Sequence, residues 1–492
     1  TRMAPVHVLR CAARGRAPAS APSDGRGDGG GGDGDDEVQR PAAYSPGPKG
    51  GSTGVRMCVL GVSGLVVVLG MVLVALASVR KHGSSPYPSY PHQEVAAAER
   101  LPRVAEPIDY SLFIRVGLPS PFPYFSGSVV IDTVIKSPTS MLFLHAGENL
   151  VVGKAEWRPE GMAAGLPGWE LGIETDAQMT EVMLDLGGRL LTRGARGKLV
   201  VTFSAALRDS PLRGLYLAEV DEGEYMAVTQ FEPTDARRMF PCFDEPEYKA
   251  IFSIAVSHHS SLTALSNAPA STVSPDTSDE VADSNYVVTR FERTPRMSSY
   301  LVAIAVGDLA SLSGVTSTGV EVKAYAPPAL VDQAQFALDV AVDVLAYYEQ
   351  FFGQAYPLRK LDLLAVPSFA AGAMENWGLV TYRYSAMLVT PEASAAAHYR
   401  VALVVAHELA HQWFGNLVTM EWFNDLWLNE GFAAFVENLG VDFVYPEWTM
   451  QFQFVIEAQY TALSADASSS SHPIIVNPED AEPPAEAAEL FD

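Results

Sequence analysis

His407 and His411 stand four residues apart in the run His407-Glu408-Leu409-Ala410-His411, inside an apolar stretch from Val401 to Phe414 that reads as a helix. Side chains at that spacing share one helix face, so both imidazoles can address a single cation while Glu408, one step round, faces a water beside it. A catalytic zinc takes three protein ligands and keeps one place open. The third ligand is expected to be a carboxylate on a second element. Glu430 follows after 18 intervening residues in Trp427-Leu428-Asn429-Glu430-Gly431-Phe432, on the next helical pattern. With 10 His and 58 acids in 492 residues, a His-acid-x-x-His run arises by chance about 0.02 times. The three residues are therefore expected to hold one Zn2+ per chain. The chemistry that follows is metal-assisted hydrolysis: zinc acidifies a water and polarises a carbonyl, and Glu408 takes the water's proton as general base before passing it to the leaving amine.

A second phrase, Gly372-Ala373-Met374-Glu375-Asn376-Trp377-Gly378, lies on a strand-like run upstream of that helix. A strand edge pairs with an extended peptide through main-chain hydrogen bonds, and a glycine at position 372 lets that backbone come close. Glu375 can then meet a protonated α-amine. Taken by itself, a carboxylate at a strand end is more often simply solvated.

These groups need rigid elements around them, and the composition allows for such elements. Of the 492 residues, 48% are apolar and 18% charged, enough for large cores and for two or three domains. The formal charge is −25, and residues 1 to 56 hold 8 bases and 6 acids, so 25 bases face 52 acids in the remainder. Such a surface repels phosphate backbones, which argues against nucleic-acid partners and for basic or peptide-like ones. Of the three cysteines only Cys242 falls in the body, so the body cannot close a disulfide within itself.

Along the chain, residues 1 to 56 carry 12 Gly and 6 Pro with no apolar period and read as a disordered tail. Met57 to Val79 is 23 residues without a charge, between Arg56 and Arg80-Lys81, long enough to cross a hydrocarbon core as a helix. Residues 80–107 read as a stalk. From Tyr110 to about Leu309, short β-rich runs such as Ser128 to Ile131, Lys198 to Phe203 and Tyr300 to Ile304 predict a mostly antiparallel β domain. Beyond it the text turns helical. The spacing predicts helices over 330–352, ending at Gly353, and over 396–415 and 425–440, with strands near Leu361 to Val366 and Leu379 to Tyr382.

In combination, Gly372 to Asn376, the His407/His411 motif and Glu430 closely resemble the GAMEN-motif zinc aminopeptidases of the gluzincin class, the family of aminopeptidase N and its membrane-bound and endoplasmic-reticulum relatives. The likeness covers most of residues 101 to 492, including Thr229-Gln230-Phe231-Glu232-Pro233-Thr234 and Phe240-Pro241-Cys242-Phe243-Asp244-Glu245-Pro246. The second of these reads as a turn that packs the β domain, with no chemistry of its own.

The resemblance implies an enzyme that hydrolyses the N-terminal peptide bond of peptides. His407, His411 and Glu430 would be its metal ligands and Glu408 its catalytic base. Gly372, Ala373, Met374, Glu375 and Asn376 would bind substrate, with Glu375 on the free N-terminus, Glu232 joining it and Gln230 lining the pocket for the first side chain. Two carboxylates near the zinc favour an α-ammonium and are left unpaired by an internal peptide. The implied fold is multidomain: a transmembrane helix, an N-terminal antiparallel β saddle-like domain, then a thermolysin-like α+β zinc catalytic domain, here incomplete. The segments are a tail over 1–56, a signal-anchor helix over 57–79, a stalk over 80–107, the β domain over 108–309 and the catalytic domain over 310–492. A single-pass type II topology with the catalytic part extracellular or lumenal follows, and homodimerisation is compatible with it.

Two departures stand out. Tyr384 occupies the place of a family glutamate in Thr381-Tyr382-Arg383-Tyr384, and the sequence stops at Leu490-Phe491-Asp492, before the Ser-Tyr-x-Lys-Gly segment whose tyrosine stabilises the family's oxyanion. Loss of one such donor costs about 10² to 10³ in rate, so zinc binding with poor hydrolysis is expected. A truncated isoform or fragment that only binds peptides or pairs with a partner is one alternative. A leukotriene-type epoxide hydrolase, which shares the zinc site, is another.

Overall fold

The computed structural model describes residues 100–468 and 471, apart from 121–122, 164, 177–179, 209–210 and 279–284. The expectations for the tail 1–56, the span 57–79 and most of the stalk 80–107 fall outside the described residues. Among the described residues no helix is long and apolar enough to cross a membrane.

An N-terminal β domain is built on alternation. In Arg196–Ala206 the residues Leu199, Val201 and Phe203 are buried while Lys198 and Thr202 face water, the period of a strand covered on one side. Each such side chain contributes about 2 kcal/mol by leaving water. This strand lies in an eight-stranded sheet ordered Ala270–Pro275, Tyr286–Phe291, Ile251–His259, Ala105–Val116, Tyr124–Ile135, Arg196–Ala206, Val151–Pro159, Trp169–Glu170. All neighbours are antiparallel except Ala105–Val116 with Ile251–His259. A three-stranded sheet, Met141–His145, Glu181–Asp185 and Gly172–Asp176, accompanies it.

A four-stranded antiparallel sheet, ordered Thr263–Ser266, Ile304–Gly307, Glu224–Gln230, Gly214–Asp221, leads towards the site. The sequence predicts a strand from Tyr300 to Ile304, but Ser299–Leu301 is a 3₁₀ turn and the strand begins at Ile304. The reason is a side chain. Asn267 takes the carbonyl of Leu301 and the amide of Ala303, which frees Tyr300 to bury its ring against Phe423.

The second half opens with Ala310–Val315 in a five-stranded sheet ordered Ala310–Val315, Glu321–Ala326, Lys360–Val366, Leu379–Arg383, Ala373–Met374. Its centre is parallel and buried on both faces, which explains the unbroken apolar run of Leu361 to Val366. Three long helices follow: α1 (Gln335–Phe352), α2 (Ala395–Ala410) and α3 (Trp427–Val444). In α1, Leu338, Ala341, Leu345 and Tyr348 fall on one buried face, and Gly353 ends the helix at φ +64°. Ser394 caps α2 by accepting from the Ala397 amide. α2 stops at Ala410, short of the expected 415: the next amides turn tighter, Gln412 to the Leu409 carbonyl and Trp413 to that of Ala410, and Gly415 then reverses the chain at φ +119°. One continuous apolar core joins the β domain to the helices.

Candidate metal and substrate centre

Helix periodicity puts His407 and His411 on the same side of α2, and α3 packs alongside with Glu430 in its first turn. The Nε2 atoms of the two histidines are 3.0 Å apart. Glu430 Oε2 lies 3.2 Å from His407 Nε2, and its Oε1 lies 3.5 Å from His411 Nε2. Ligands of a tetrahedral metal at about 2.0 to 2.2 Å stand about 3.3 Å from one another, so three inward-facing donor atoms at these separations suit one divalent ion. The other ring nitrogens are engaged elsewhere. His407 Nδ1 is 2.7 Å from Glu437 Oε2, and His411 Nδ1 donates to the Phe414 carbonyl at 3.0 Å, which leaves each Nε2 lone pair for the centre.

The charges agree with that geometry. Burial disfavours a proton on His407, but its hydrogen bonds to Glu430 and Glu437 outweigh burial and hold the imidazole well above its ordinary range. At His411 burial is likewise overcome, by Glu375 and Glu430, and the group is pushed up to about 9. Burial opposes ionisation of Glu430, yet the two imidazoles keep it below the usual carboxylate range. Burial pushes the Glu408 carboxyl up to about 8, with the imidazoles offsetting part of the effect.

The second phrase forms less strand than the sequence predicts. Only Ala373–Met374 pairs, antiparallel with Thr381 and Tyr382, and it forms the edge of the five-stranded sheet; residues 375–378 then turn back. The turn is required because Leu379 must return parallel to Lys360–Val366, and the Leu379 amide closes it on the Asn376 carbonyl at 3.0 Å. Gly372 faces open space, Met374 is buried, and Asn376 Nδ2 donates to Thr381 Oγ1 at 3.2 Å.

Glu375 is buried, 4.0 Å from His411 Nδ1 through Oε1, an oxygen that has no hydrogen-bond partner. Its carbonyl is held by Asn416 Nδ2 at 2.9 Å and Gln412 Nε2 at 3.3 Å, both from the turns after α2. Gln230 ends the strand Glu224–Gln230 and is buried, its Oε1 without a partner. Glu232, two residues on, also has a buried oxygen without one. Burial, then the Glu375 carboxylate, push Glu232 well above the usual carboxylate range. Two carboxyl groups, each with a buried oxygen that lacks a partner and one raised by the charge of the other, would be satisfied by a cation.

Of the seven substrate-contact residues expected from the sequence, Glu375 lies against His411 and Glu232 is near enough to Glu375, Glu430 and His407 to feel their charge, while the turn at 375 replaces the expected strand. Glu437, Asn416 and Gln412 were not expected. Glu437 carries a recoverable signal, since it lies seven residues, or two turns, after Glu430 on the same face of α3.

Residues 106–301 match the peptidase M1 N-terminal domain, and residues 336–492 match the peptidase family M1 domain. The chain is 41% identical over 412 residues to aminopeptidase M1-C of Oryza sativa subsp. japonica, covering 83% of this chain and 44% of the relative. It is 42% identical over 398 residues to endoplasmic reticulum aminopeptidase 1 of Rattus norvegicus, covering 80% and 41%. To aminopeptidase N of Rattus norvegicus it is 38% identical over 404 residues, again covering 80% and 41%. The chain therefore spans about two fifths of the length of the curated relatives it matches.

Proposed function

The chain belongs to peptidase family M1, and from that membership we propose that it carries the machinery of a zinc-dependent aminopeptidase acting on peptides with a free N-terminus. The observation that carries this is the pair of unsatisfied carboxylates, Glu232 and Glu375, set beside a three-ligand metal group. His407, His411 and Glu430 would hold zinc, which when bound would acidify water and polarise a carbonyl. Glu408 accepts the proton of the attacking water at its carboxylate and delivers it to the departing amine nitrogen. Ala373 and Met374 present a sheet edge that aligns the peptide backbone. Glu232 and Glu375 take the α-ammonium, which sets the scissile bond one residue away, and Gln230 lines the recess for the first side chain.

In this reading the β domain spans 108–309 and the catalytic domain 310–492. The uncharged run 57–79 serves as a type II signal anchor that places both on the extracellular or lumenal side. Protection of the body from protease in sealed vesicles, lost on adding detergent, is the expected topology result.

Amino-acid arylamides with free amines, offered to the zinc-loaded chain, test the activity. Cleavage of the free-amine substrates and none of their N-acetylated forms is expected. Equal cleavage of both would remove the exopeptidase assignment.

A further inference from the structure

Two main-chain carbonyls immediately downstream of Glu375 are held by side chains of other elements. Asn267, the first residue after strand Thr263–Ser266, is fully buried; its Nδ2 donates to the Trp377 carbonyl at 2.9 Å and to the Leu301 carbonyl at 2.7 Å. Its Oδ1 accepts from the Ala303 amide at 2.9 Å. Lys360 uses all three of its protons, on the Gly378 carbonyl at 2.7 Å, the Ser266 carbonyl at 2.7 Å and Asp362 Oδ2 at 2.6 Å. Gly378 sits at φ +85°, and a Cβ there would lie 2.1 Å from the Asn267 carbonyl oxygen. The turn after Glu375 is thus pressed directly against residues 266–267.

The same residues lead back to Glu232. Ser266 pairs with Ile304, and Ala305 pairs with Val228. Thr229 Oγ1 accepts from the Ile304 amide at 3.0 Å and donates to the Ile304 carbonyl at 3.3 Å. Glu232 follows three residues later. Glu232 and Glu375 lie beyond the ends of strands in different sheets, and this buried route through Thr229, Ile304, Ser266 and Asn267 to Trp377 and Gly378 joins them.

We propose that Asn267 and Lys360 are positioning residues that set the separation of Glu232 and Glu375, and so the preference for a free α-amine over a blocked one. This rests on the assignment of those two carboxylates to the substrate amine. An ammonium shared by two fixed acceptors is sensitive to their spacing, because each charge-assisted hydrogen bond weakens steeply away from its preferred length and angle. A blocked amine makes no such pair and is indifferent to it.

The probes are L-leucinol, which has the free amine and no scissile bond, and N-acetyl-L-leucinol, titrated calorimetrically into the zinc-loaded full chain. The parent chain is expected to prefer leucinol, and Asn267→Ala to reduce that preference at least tenfold with zinc content unchanged. Lys360→Met combined with Asp362→Leu removes the second hold without leaving a lone buried charge, keeps the question open if Asn267→Ala does not fold, and should act in the same direction. Ser257→Ala, which removes a hydrogen bond to Asp276 at the far edge of the eight-stranded sheet, should keep the preference whatever it does to stability. An undiminished preference in a folded, zinc-bearing Asn267→Ala or Lys360/Asp362 variant, or an equal loss in Ser257→Ala, would overturn the positioning role alone. A parent chain with no preference for leucinol would overturn the amine assignment and the positioning role with it.

Discussion

Glu437 Oε2 lies 2.7 Å from Nδ1 of His407, two turns along α3 from Glu430, which faces Nε2 of the same ring. One imidazole is therefore held at both nitrogens by one helix. Glu437 fixes the ring's tautomer and orientation while Glu430 shares its ligand face.

Replacing Glu437 with Gln keeps the shape but removes the charge that makes the ring basic. Zinc affinity, measured by competition with a chromophoric chelator, should fall about 10- to 100-fold. An unchanged affinity would mean that the contact only packs.

Glu408 and the ligands should separate cleanly under substitution. Glu408→Gln should retain zinc and lose about 10²- to 10⁴-fold in turnover, the range of a general base. His407→Ala or Glu430→Ala should lose the metal itself, read by atomic absorption after dialysis.

Acidity should act in opposite senses on the metal-free and metal-loaded chain. Folding raises His411 to about 9 and Glu408 to about 8, so the stability each contributes is complete below its ordinary value and is lost as pH rises through the folded value. The metal-free chain should weaken towards denaturant from about pH 5 to about pH 9. Zinc must displace the protons on both rings, so its uptake at pH 7 should release about two protons, visible as a buffer-dependent heat of binding.

Gly378→Ala meets two penalties, a positive φ and a clash with the Asn267 carbonyl. A loss of about 3 kcal/mol is expected from the denaturation midpoint. Gly372→Ala, facing open space, should leave stability nearly unchanged.

Much of the centre was legible along the chain because its geometry is local. The four-residue spacing of His407 and His411 dictates a shared helix face whatever surrounds it, and the stops at Gly353 and the strand Leu379–Arg383 follow from backbone preference and apolar period in the same way. The run at 300–304 misled because its β-rich composition says nothing of Asn267, whose side chain takes up the backbone there. Asn416, Asn267 and Lys360 share that character: each acts on a residue brought near by packing of helices and sheets, and no periodicity encodes which distant carbonyl a buried amide or ammonium will meet. By itself the sequence determined the chemical donors and the faces they occupy. Only the tertiary structure decided how far apart those faces stand, because separation is set by long-range hydrogen bonds between elements far apart in the chain.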